Sequence, residues 1–172
     1  LEIDKKSGDI RTKKMGYYDA ESEMFHQLQA DLGINGCRHP LTFLLEAADD
    51  IAYKTADVED AFKKGCLTFE CLLSELRAGG EGEQEDGEYF ELIKILENKY
   101  VKAKERGLAR PDINAVQNWI ITVQGRLISC ATNTFVKHYE EIMSGQFSKE
   151  LLFNTIIKLN CNSLNESCNL IL

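Results

Sequence analysis

The chain has 172 residues, with 20 basic and 28 acidic side chains and a formal net charge of −8, long enough for one domain with a sizeable core. That charge gives no overall attraction to nucleic acid or to an anionic membrane. Six cysteines without a CxxC pair, three scattered histidines and no apolar run near ~18 residues argue against a disulfide framework, a zinc site and a membrane span, and for a cytoplasmic protein with reduced thiols.

Only two prolines, Pro40 and Pro111, interrupt the sequence, which favours long helices over strands and turns. Residues 1–19 read as a loop or a short irregular entry carrying Lys13 and Lys14. From Asp19, DAESEMFHQLQADLGI has an acidic first turn, apolar Met24, Phe25, Leu28 and Leu32, and Gly33 as its stop. HPLTFLLEAADDIAYKTADVED follows, with Pro40 suited to a first helical turn and Gly65 to the end. Thr68 is placed to cap TFECLLSELRAG, with Leu72, Leu73 and Leu76 facing inward.

Residues 79–88, GGEGEQEDGE, carry four glycines among ten residues and read as a flexible, solvated loop between two helical halves. EYFELIKILENKYVKAKERG is then helical, with Phe90, Ile93, Leu96, Tyr100 and Val101 as its apolar stripe. After Pro111 the pattern allows one long helix or two meeting near Gly125. Ser148 is placed to cap a last helix. Without repeats, heptads or period-2 alternation, residues 1–172 read as a single all-α region.

The acids of the second helix raise the functional question. At ~100° per residue, Asp49, Tyr53, Asp57 and Asp60 fall on one stripe. Leucines and alanines fill much of the remaining surface, so the helix is expected to be central and its carboxylates costly to bury. Either they form a solvated face or some of them hold a cation. Spacing alone leaves both readings open.

The segment RHPLTFLLEAADDIAYKTADVEDAFKKG strongly resembles the deoxyguanosine triphosphate triphosphohydrolases of the HD-domain superfamily, most densely over residues 37 to 65. KKMGYYDAESEMF resembles the segment preceding that helix in the same enzymes, and FVKHYEEIMSGQFSKELL resembles their C-terminal region more loosely. The resemblance implies an all-α multi-helix bundle around a central apolar helix at about 40–64. It implies hydrolysis of a deoxynucleoside triphosphate to the deoxynucleoside and tripolyphosphate, with a divalent metal (Mg²⁺, Mn²⁺, Co²⁺ or Fe²⁺) and homo-oligomeric assembly. Matched residue by residue, Asp49 corresponds to the last ligand of a His…His-Asp…Asp metal site. Tyr53 corresponds to a tyrosine that packs on the deoxyribose, and Asp57 to an acid near its 3′-hydroxyl and the phosphates. The same Asp-Tyr-Asp spacing in a more distant SAM-and-HD-domain relative favours Asp49 over Asp50.

The sequence also departs from that pattern. No His-Asp dipeptide occurs, and His26, His39 and His138 do not stand where the other ligands belong. His39, before Pro40, is expected to shape the turn into the helix. The chain therefore reads as the C-terminal part of such an enzyme, inactive by itself and holding no metal alone. Lys13 and Lys14 are candidate phosphate contacts or solvated loop lysines. Arg126, mid-helix among apolar residues, is expected to meet either the nucleotide or a structural acid. The competing readings are an HD-type hydrolase of another nucleotide and a non-enzymatic all-α interaction module.

Overall fold

The computed structural model describes residues 17–34, 37–80 and 87–153, and within them every regular element is helical. A 3₁₀ turn, Asp19–Glu21, leads into α1, Ser22–Asp31. Then come α2, Pro40–Lys63, α3, Phe69–Gly79, α4, Glu88–Glu105, α5, Pro111–Lys137, and the short α6, Tyr139–Met143. The expected all-α architecture is what the chain adopts.

The ends of α2 follow from its sequence. Pro40 has no N–H to leave unsatisfied in the first turn. The Leu41 N–H donates to His39 Nδ1 at 3.2 Å and the Thr42 N–H to the His39 carbonyl at 2.9 Å. His39 thus caps the helix, as its position before Pro40 suggested. At the other end Gly65 takes φ 75°, and the Cys66 N–H reaches back to the Ala61 carbonyl at 2.9 Å, a glycine-dependent stop. Thr68 likewise caps α3, accepting from the Cys71 N–H at 3.2 Å.

The chain divides into two compact units. One comprises the described residues up to Ala48 together with Cys130–Phe153, and the other includes Asp49–Ser129. Phe43, Ala47, Ala131, Ile142, Phe147 and Leu151 form the core of the first unit, with Phe43 and Phe147 meeting edge to face. In the second, Trp119 is buried and its indole N–H donates to the Leu92 carbonyl at 2.9 Å. The Tyr89 hydroxyl donates to the Leu76 carbonyl at 2.6 Å and ties α4 to α3. The residues flanking 79–88 belong to this one unit. Residues 81–86, the centre of the expected flexible loop, lie outside the described residues.

Some sequence expectations shift. The apolar side of α1 is open, with Met24, Leu28 and Leu32 all exposed. In α4 the buried set is Tyr89, Leu92, Ile93, Leu96 and Ala103. Val101 is exposed and Tyr100 half-buried, because the inward face is centred between Leu92 and Leu96 rather than on Phe90. α5 runs unbroken through Gly125. The interruption comes instead at His138, whose ψ opens to 21° before α6. After Ser148, residues 151–153 are turns, and the rest of the expected last helix lies outside the described residues.

Candidate functional site

The acids of α2 do not share one environment. Glu46 takes both guanidinium nitrogens of Arg38, at 2.6 and 2.8 Å. Asp50 faces Lys54 at 3.7 Å and Asp60 faces Lys64 at 4.0 Å. Glu59 accepts from Lys63 at 2.6 Å and from the Gln117 amide at 2.9 Å. Those two donors, Lys63 first, hold the Glu59 carboxyl below its ordinary range, and the Lys63 ammonium is raised in return. Four of the six acids in the helix thus have cationic partners. Asp49 and Asp57 have no hydrogen-bond or ion-pair partner among the described residues.

Asp49, Tyr53 and Asp57 project from the exposed side of α2, where Tyr53 retains 66% of its accessible surface. Successive members lie ~40° apart around the helix, whereas Asp50 is turned ~100° from Asp49. Ala52 and Ala56, also exposed, lie beside them. Two carboxylates and a phenol therefore stand together on the exposed side of the helix.

The opposite face of the helix buries Ile51, Thr55, Val58 and Phe62. Thr55 has 1% of its surface exposed. Its hydroxyl donates to the Ile51 carbonyl at 2.7 Å and accepts from Gln124 Nε2 at 2.8 Å. Sequence reasoning passed over Thr55, Gln117 and Gln124. The available signal was a polar residue standing in the apolar register Ile51, Thr55, Val58.

Arg126 is placed on α5 with Glu88 Oε1 at 3.2 Å and Glu91 Oε2 at 2.9 Å. Its guanidinium thus faces two acids of α4. Lys13 and Lys14 lie outside the described residues. Among those residues no group of three or more His, Cys, Asp or Glu side chains is placed to hold a metal ion. Nor is any helix there long and apolar enough to cross a membrane.

No known family profile matches the chain. Individual proteins do, and over most of its length. The chain is similar to deoxyguanosinetriphosphate triphosphohydrolase-like proteins. Those of Listeria monocytogenes and Listeria innocua are each 35% identical to it over 153 residues, which is 88% of this chain and 31% of the relative. The chain thus spans about a third of the length of these triphosphohydrolase-like relatives.

Proposed function

We propose that this chain is the part of a deoxynucleoside triphosphate triphosphohydrolase that carries Asp49, Tyr53 and Asp57. The observation that carries the reading is the 35% identity, along 88% of the chain, to proteins named for that activity. The exposed stripe on α2 supports it, since the residues aligned along the helix suit a nucleotide lying across that face. In the proposed reaction water attacks the α-phosphorus of a substrate such as dGTP, and the products are deoxyguanosine and tripolyphosphate. Asp49 would give one carboxylate to a divalent ion whose other ligands come from outside the described residues. Tyr53 would lie against the sugar, and Asp57 near its 3′-hydroxyl. Asp50, facing Lys54 on the flank of the helix, is the neighbour that the reaction does not use.

The test is tripolyphosphate release from dGTP with Mn²⁺ or Co²⁺. The 172-residue chain is expected to be inactive and the complete gene product active. In the latter, Asp49→Ala should cost at least ~100-fold together with metal content, because it removes a direct ligand. Asp50→Ala should change the rate by no more than about threefold, since it loses only an exposed ion pair. Equal damage from both substitutions would refute the ligand choice, and turnover by the chain alone would refute the division of the site. A panel of other nucleotides tests the broader alternative, an HD-type hydrolase with a different substrate.

A further inference from the structure

We propose that Gln117 and Gln124 of α5 are positioning residues that set the rotation of α2 about its own axis, so that Asp49, Tyr53 and Asp57 project together from its open face. The functional half of this proposal rests on the reading given above. The structural half stands on geometry within the Asp49–Ser129 unit.

Thr55 is the buried polar side chain of the described core. Its single hydroxyl proton is committed to the Ile51 carbonyl, so it is already satisfied inside its own helix. The bond from Gln124 Nε2, at 2.8 Å, is not needed to pay for burying the hydroxyl. What it adds is direction. Apolar contacts through Ile51, Val58 and Phe62 tolerate a small roll of the helix, whereas a hydrogen bond weakens steeply once bent.

A single pin would still allow pivoting. Gln117, two turns before Gln124, donates to Glu59 Oε1 at 2.9 Å, one turn beyond Thr55. The two bonds cross from α5 to α2 at different heights and fix both the roll and the sliding of the helix. Tyr53 lies ~200° around the axis from Thr55, so holding Thr55 inward turns Tyr53 outward, with Asp49 and Asp57 within ~40° of it. A roll of ~20° at a side-chain radius of ~5.5 Å displaces each group by about 2 Å. Misplacement by ~1 Å can cost ~100-fold in rate.

The experiment uses Gln117→Leu/Gln124→Leu, which keeps side-chain volume and leaves the Thr55 back-bond intact. In the 172-residue chain, residual dipolar couplings along α2 oscillate with the helical period and report its rotation. A phase shift of ~10° or more relative to α4 is expected, and an unchanged phase would overturn the clamp. Should that variant fold poorly, Thr55→Val removes the Gln124 pin from the other side, and the same outcomes apply. In the complete gene product, kcat/KM should fall about tenfold or more at a temperature where the variant is fully folded, with Thr55→Ser close to wild type. A shifted phase with unchanged kcat/KM would overturn the positioning role. If the wild-type gene product releases no tripolyphosphate, the proposed activity falls, and the dipolar couplings still decide whether the two glutamines set the helix.

Discussion

Gly145 follows α6 with φ 73°, a region where a side chain costs about 1–2 kcal/mol. A Cβ there would also run into the Sγ of Cys37. Both penalties fall on the same atom. Gly145→Ala is therefore expected to destabilise the unit containing Phe43 and Phe147 by about 2–4 kcal/mol, read from urea unfolding. Gly65, with a similar φ of 75°, has open space around its would-be Cβ and should show the backbone cost alone. The same contrast between crowded and open sites separates the acids of α2. Glu46, held by two bonds from a largely buried Arg38, belongs to the architecture. Asp49 and Asp57, exposed and without partners among the described residues, are available to something else.

At the scale of elements, α5 shows where local preference and tertiary context part. Gly125 sits inside a 27-residue helix, and a methyl group added there would touch nothing within 4 Å. Gly125→Ala should stabilise the chain by about 0.5–1 kcal/mol, seen as a rise of a few degrees in the melting temperature. That glycine made the sequence ambiguous between one helix and two. The packing of Val116, Trp119, Ile120, Val123 and Leu127 on the buried side carries the helix past it. Capping signals were legible because they act locally: Pro40, Gly65 and Thr68 mark their ends as written. Which side of α4 turns inward was less legible, since Tyr89 and Leu92 compete with Phe90 in a helix with apolar residues at several angles. The spacing of Asp49, Tyr53 and Asp57 could be read directly. The Gln124–Thr55 and Gln117–Glu59 bonds span 69 and 58 residues, and no local pattern announces them. Arg126 was legible as an arginine in need of an anionic partner, nucleotide or acid.

At the scale of the whole chain, several large apolar side chains are exposed among the described residues. Met24, Leu28 and Leu32 are exposed on α1, Leu41 and Leu45 on α2, and Ile121, Ile128 and Val136 on α5. Where such side chains join into a patch of several hundred Å², the patch marks a contact site or an aggregation liability. The 172-residue chain is expected to self-associate with concentration and to bind a hydrophobic dye, as measured by light scattering and fluorescence titration. A concentration-independent monomer that binds no dye would count against this and would favour a self-contained helical module. The relatives extend over roughly three times the length matched here.

Trp119 turns the division into two units into something that can be observed. It is the one tryptophan in the sequence, it is almost fully buried, and its indole is anchored to the Leu92 carbonyl within the Asp49–Ser129 unit. Intrinsic fluorescence excited at the red edge of indole absorption is therefore a private channel to that unit. The unit built on Phe43 and Phe147 is dark in it, while circular dichroism sums the helices of both. If the two melt as one cooperative body, the optical and dichroic curves will superimpose. If they melt separately, the dichroism will acquire a step that the tryptophan never sees, and Gly145→Ala will move that step while leaving the emission curve in place.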